Sequence, residues 1–294
     1  MAQQKIELRK LRDFGENISD TFQFIRQEFK PLLTAFLIMS GVFIVAGGIV
    51  GGIYQSGSMS GIMRALRSAS YYGSSSLGNV FNGTYFLMIL LSLFGIVSIR
   101  VVVASYMKVY DAKAGESPTL DEIWTQFKHY IVPLFFYSII IGIMIVLGMV
   151  LCIAPGIYLA VVFAPIEMVL VVEDVSLGQA ISRCFNIVKE NFWISFAIYL
   201  VAYIIYSFSS GIIGAIIGVI AGLASYFSTK DVASTVGIVT GILNIFTYTF
   251  YIIFAVSVGL HYFNLVEKLD GDGLMRKLEN LGNTNPNSQI EEQY

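Results

Sequence analysis

The sequence predicts an all-α polytopic membrane protein: six transmembrane helices and three interfacial amphipathic helices, arranged as a pseudo-threefold repeat. Three observations carry this. The 294 residues are 56% hydrophobic and only 13% charged, against about a quarter charged in soluble domains. Six apolar runs are long enough to cross a bilayer, and lysine and arginine fall overwhelmingly on one side of them.

A span needs about 20 mostly apolar residues, because the hydrocarbon core is roughly 30 Å thick and an α-helix rises 1.5 Å per residue. The runs 31–54, 84–109, 131–154, 157–172, 193–224 and 234–266 qualify. They define a membrane domain over 31–268, preceded by an amphipathic segment 1–30 and followed by a polar tail 269–294. That tail, ending NTNPNSQIEEQY, lacks apolar periodicity and reads as disordered. The N-terminus is charged and shows no apolar h-region with a small-residue cleavage site, so the first span is expected to be its own insertion signal.

Orientation follows from the basic residues. Lys5, Arg9, Lys10, Arg12, Arg26, Lys30, Lys108, Lys113, Lys128, Arg183, Lys189, Lys268, Arg276 and Lys277 lie on one side, and Arg64, Arg67 and Lys230 on the other. By the positive-inside rule both termini are cytoplasmic, and the expected location is a bacterial cytoplasmic (inner) membrane. Pro155-Gly156 reads as a tight turn closing spans three and four into a hairpin. The outer segment 55–83 reads as a connector, with helical spacing over residues 62–67.

The repeat emerges when the basic-side segments are aligned. Phe22–Phe29 (FQFIRQEF) precedes span one, and Phe185–Phe192 (FNIVKENF) precedes span five in the same order of residue types. Residues 124–128 precede span three, with Pro133 where Pro31 stands in the first unit. Each unit reads as an interfacial helix, an outgoing span and a returning span.

Ionisable side chains inside a span cost roughly 2.5–3.5 kcal/mol each at the membrane centre, so each needs a reason. Arg100, Glu167 and His261 are the three, one on each returning span. Arg100 stands eight residues before Lys108, Glu167 six before Glu173 and His261 seven before Lys268. All three therefore share a height of about 9–12 Å above the basic side. They are expected either to meet as an intramembrane polar cluster, with Glu167 paired to Arg100, or to act structurally, with Arg100 snorkelling to the headgroups. Small residues predict helix packing faces at Gly47-Gly48 and Gly51-Gly52, at Gly211, Gly214, Gly218 and Gly222, and at Gly237 and Gly241. These faces serve either the bundle itself or a homodimer.

The function classes excluded are several. A net charge of −2 offers no basic field for nucleic acid. Two cysteines, Cys152 and Cys184, fall on opposite sides of the membrane, and with two histidines the chain carries no metal or cofactor signature. Phosphate-binding, nucleophile-elbow, zinc-protease and dinucleotide motifs are all missing.

One stretch carries a resemblance. Pro155-Gly156-Ile157-Tyr158-Leu159 is followed by Glu173-Asp174, then Leu177-Gly178-Gln179-Ala180 with Ser182-Arg183, then Lys189-Glu190-Asn191-Phe192-Trp193. With Ala114–Thr119 (AGESPT), this resembles the membrane domain of glycerophosphodiester phosphodiesterases and related six-helix bacterial membrane proteins. The resemblance implies a stand-alone membrane module in which Pro155, Gly156, Glu173, Ala180, Arg183, Phe192 and Trp193 are architectural. The catalytic barrel of that family, about 250 residues, is absent from this sequence, so no enzyme activity, catalytic residue or cofactor is carried over. The expected function is non-enzymatic: a scaffold or accessory subunit whose partners are membrane lipids and either another membrane protein or a second copy. The alternatives are a small transporter or channel with its polar centre at Arg100, Glu167 and His261, and, third, a membrane-embedded lipid enzyme.

Overall fold

The computed structural model describes residues 5–67, 81–228, 232–271 and 275. Those residues form helices and no strand. In chain order they are α1 (Phe14–Gln27), α2 (Phe29–Met39), α3 (Gly41–Arg67), α4 (Gly83–Ala112), α5 (Leu120–Leu151), α6 (Ile153–Val162), α7 (Ile166–Val172), α8 (Leu177–Lys189), α9 (Phe192–Ser228) and α10 (Val232–Asp270). Among the described residues six stretches are long and apolar enough to cross a membrane: one in each of α3, α4, α5, α9 and α10, and one running through α6 and α7. The chain is therefore a polytopic α-helical membrane protein.

Helices α4 and α10 sit at the centre. α10 packs on α1, α3, α4 and α9, while α4 packs on α2, α3, α5 and α7 as well. The core is concentrated at the end where α1 and α8 lie. There Phe24, Ile99, Met107, Tyr110, Val169 and Phe263 are fully or almost fully buried. At the opposite end Ile53, Val150, Leu151, Val219 and Leu223 are exposed, as suits side chains facing lipid tails.

The boundaries differ from those expected in four places. Run 31–54 is divided at Ser40, into α2 and α3. A Ser-Gly pair is a common kink site because both residues are weak helix formers. The amphipathic segment before the third span is not a separate helix. It is the first part of α5, which starts at a capping box (Thr119 with Glu122) and continues through Pro133. A membrane helix tolerates such a proline because neighbours re-satisfy the freed carbonyl.

The hairpin turn is at Cys152, not at Pro155-Gly156. Cys152 is extended (φ −167°, ψ 144°), and Pro155 occupies the first turn of α6, where its missing N–H costs nothing. Gly156 serves close approach instead, since a Cβ there would stand 2.7 Å from the Met149 backbone. Finally, run 157–172 is not one helix. Pro165 cannot donate the bond that would join α6 to α7 and disfavours a helical Ala164, so the chain makes a tight turn over residues 163–165.

The glycine faces also separate. Gly48 and Gly52 of α3 cross Gly241 and Gly237 of α10 so closely that a Cβ on Gly52 would lie 2.5 Å from the Gly237 carbonyl oxygen. On α9, Gly211, Gly218 and Gly222 meet no other group among the described residues, where only Gly214 is near a neighbour, Leu243. The α9 strip is thus not an internal packing face, because α9 packs at the periphery and only 6% of its span is buried. Residues 68–80, Lys230, Arg276, Lys277 and the rest of the expected tail lie outside the described residues. The helical spacing over 62–67 falls within α3.

Candidate functional site

Two of the three intramembrane ionisable groups meet. Arg100, midway along α4, donates from Nη1 to Glu167 Oε1 at 2.8 Å and from Nε to the Tyr251 hydroxyl of α10 at 2.7 Å. Its guanidinium also lies 5.7 Å from the Tyr251 ring centroid, within cation–π range. The turn at Pro165 matters here. It places Glu167 in the first turn of α7, where unpaired backbone N–H groups favour a carboxylate. Glu167 is 4% exposed, and the Arg100 side chain 30%. Three helices are thereby tied at one height by an ion pair and a phenol.

A crevice of about 20 Å3 reaches this pair, lined also by Ala164, Met168, Phe254, Ala255 and Val258. It has room for about one water molecule. Arg100 is therefore paired rather than snorkelling alone.

His261 is not part of this clamp. It faces α9, where its Nε2 lies 2.8 Å from Ser195 Oγ and its ring meets Tyr199 edge-on with centroids 5.4 Å apart. Both His261 and Ser195 are completely buried. His261 Nδ1 and the Tyr199 hydroxyl have no hydrogen-bond partner among the described residues. A serine–histidine pair needs a third group on Nδ1 and access to substrate to act as a nucleophile. Here it has neither among the described residues. The expected common height did not bring the three groups together: Arg100 meets α10 at Tyr251, ten residues before His261 and so about 15 Å away along that helix, and the His261 ring faces α9.

A second network, missed as such by sequence reasoning, surrounds the acidic step after α7. Glu173 accepts from Arg183 Nε at 3.1 Å and from the Tyr262 hydroxyl at 3.0 Å. Arg183 also pairs with Asp270 at the end of α10. Burial works against the Arg183 charge, but its bonds to Asp270 and Glu173 outweigh that and hold its pKa above the ordinary value. Asp174 takes a left-handed φ of 54° and accepts from Tyr130 of α5 at 2.7 Å, and Tyr130 in turn accepts from Lys108 of α4 at 3.0 Å. Glu173-Asp174 therefore links α4, α5, α8 and α10. The signal in the sequence was the two adjacent carboxylates, but their partners lie 10 to 89 residues away (Arg183 and Tyr262 from Glu173).

Of the remaining motif residues, Ala180 and Phe192 serve packing and Trp193 does not. Ala180 is fully buried on the inner face of α8, and Phe192 lies 5.2 Å from Tyr158 between ring centroids. Trp193 is 77% exposed. Two further buried groups carry no marker in the sequence. Arg12 exchanges backbone bonds with Asn264 and binds Asp20 at 2.9 Å, pinning the N-terminal segment to α10. Glu28, at the α1–α2 junction, accepts from Tyr106 at 2.6 Å and Ser117 at 2.7 Å. Among the described residues no group of three or more His, Cys, Asp or Glu side chains could hold a metal ion.

Fold and polar clusters together define a multi-pass α-helical membrane protein with a tyrosine-capped arginine–glutamate pair inside its bundle. Comparison with protein-family models, with curated proteins and with solved structures found no match to this chain.

Proposed function

We propose that this protein is a non-enzymatic membrane scaffold or accessory subunit that binds lipid at its basic end. Its setting is the bacterial inner membrane, with both termini in the cytoplasm. The observation that carries the reading is the Arg100–Glu167–Tyr251 clamp. Each charge is answered from within, and the crevice beside it holds about one water molecule, so the cluster ties helices rather than passing a solute. A transporter centred on Arg100, Glu167 and His261 needs one hydrated path to all three, and His261 is turned away to Ser195. A lipid enzyme needs an accessible nucleophile or metal, and the Ser195–His261 pair is sealed.

Peripheral α9 supports an accessory role, since its small-residue face at Gly211, Gly218 and Gly222 lies open to another helix. The repeat reading is supported by three capping boxes, Asp13 with Glu16, Thr119 with Glu122 and Ser176 with Gln179, one at each proposed unit's start. In this reading α1, the first turns of α5, and α8 lie at the headgroup level, and the chain is a stand-alone module of the kind the phosphodiesterase resemblance implies.

The test is site-specific photo-crosslinking from Ile212 and Val219 on α9 in native membranes. A discrete adduct with another protein or a second copy is expected. Adducts with lipid alone would contradict the accessory reading.

A further inference from the structure

At the basic end of the bundle, a groove of about 540 Å3 opens between the start of α1, the start of α9 and the end of α10. That volume lies within the roughly 300–1,000 Å3 range of small-ligand sites. Its walls divide by chemistry. Phe14, Trp193 and Ile194 give an apolar shelf, each more than two-fifths exposed (43%, 77% and 44%). Lys268 and Asp13 supply opposite charges on the same groove.

Arg12 also lines the groove, but its guanidinium is committed to Asp20 and to the carbonyls of Glu7, Leu8 and Lys10, so it shapes the floor. Among the described residues Lys268 makes one long contact, 3.3 Å to Asn191. Asp13 uses Oδ1 to cap the Glu16 amide, and its Oδ2 makes no bond among the described residues. Trp193 begins the fifth span, at the level where an indole sits in the membrane interface.

A cation, an anion and an apolar shelf at headgroup level are the complement of a zwitterionic lipid with a primary amine. We propose that the groove binds a phospholipid with an ethanolamine-type headgroup. Lys268 takes the phosphate, Asp13 Oδ2 takes the ammonium, and the glycerol and upper acyl chain lie along Phe14, Trp193 and Ile194. A primary ammonium donates hydrogen bonds to a carboxylate, which a choline cannot do. A purely anionic headgroup would bring its charge toward Asp13 without that compensation. The proposal rests on the lipid-binding half of the function proposed above, not on the scaffold half.

The experiment is native mass spectrometry of the full-length chain in mild detergent, titrated with phosphatidylethanolamine, phosphatidylcholine and phosphatidylglycerol of matched acyl chains. Ethanolamine lipid is expected to bind about tenfold more tightly than choline lipid, the effect of one charge-assisted hydrogen bond. Asp13→Asn should erase that preference while keeping the helix cap, since Asn caps as well as Asp. Lys268→Gln should weaken all three lipids. Equal retention of ethanolamine and choline lipid by the wild-type chain overturns the proposal without any variant. So does a phosphatidylglycerol preference, or an Asp13→Asn chain that still discriminates. Lipid selectivity together with a lack of protein adducts from α9 would uphold this site and defeat the scaffold reading. Adducts without selectivity would do the reverse.

Discussion

Arg100 and Glu167, on helices α4 and α7, are 2.8 Å apart in the interior of a membrane-spanning bundle, and Tyr251 of α10 completes the contact from the other side of the guanidinium. Neither charge has bulk water to fall back on at that depth. A buried pair of this kind costs several kcal/mol to desolvate per ion, and removing one partner strands the other. The pair therefore acts more as a constraint on how α4, α7 and α10 fit together than as a source of net stability.

Close helix crossing should be sensitive to single methyl groups. Gly52→Ala places a Cβ within 2.5 Å of a carbonyl oxygen on α10, and the backbone on both sides is helical and cannot yield. A loss of about 1–3 kcal/mol is expected, typical of overpacking. Gly218→Ala on α9 meets open space and is expected to be neutral to slightly stabilising in the isolated chain. Thermal melting of both variants in one detergent checks the contrast. Equal losses would mean that α3 and α10 do not cross at these residues.

The two cysteines give a topology assay. Cys152 is exposed at the hairpin between α5 and α6, whereas Cys184 is on the buried face of α8. Burial, with the nearby Glu167 and Glu173 charges, pushes the Cys184 thiol well above its ordinary pKa. The folded state thus holds that proton, and any stability linked to it is present below the ordinary thiol value of about 8.5 and lost as pH rises further. A membrane-impermeant maleimide is expected to label Cys152 from outside intact cells. Cys184 should stay unlabelled through pH 9 until the protein is denatured. Labelling of Cys184 in the native protein at pH 7 would contradict the packing of α8.

Arg183 should govern how firmly α8 is held. It ties Glu173 to Asp270, and its side chain is only a quarter exposed. Arg183→Gln is expected to cost about 1–2 kcal/mol and to raise hydrogen exchange in α8 and in the last turn of α10, leaving α3 unchanged. Uniform exchange across the chain, or none, would show that the network does not hold these elements.

Much of this arrangement was legible beforehand, and the failures have a common cause. The number of candidate spans, six among the described residues, follows from hydropathy, because a bilayer imposes a minimum apolar length. The shared height of Arg100 and Glu167 follows from the helical rise alone. What spacing cannot supply is the tilt and rotation of each helix, so Arg100 meets α10 at Tyr251, ten residues before His261, and His261 faces Ser195 on α9.

Interruptions inside apolar runs were hidden for a related reason. Ser40-Gly41 and Pro165 leave mean hydropathy almost unchanged while ending a helix. Conversely, the polarity of residues 124–128 suggested a separate helix before the span, where α5 runs on. The partners of Glu173 and Asp174 depend on the tertiary fold, and no local pattern identifies Tyr130 or Tyr262 among 17 tyrosines.

The clamp itself is tested most directly by a double-mutant cycle on thermal stability, using Arg100→Gln, Glu167→Gln and the double variant. Each single change should destabilise by about 3–5 kcal/mol if it strands a buried charge, though Glu167→Gln, which keeps a polar acceptor, should lie at the lower end. The double variant should be much less unstable than the sum, with a coupling of about 1–3 kcal/mol. Effects that add to within about 0.5 kcal/mol would mean that Arg100 and Glu167 do not act on one another, and the structural role assigned to the pair would fall.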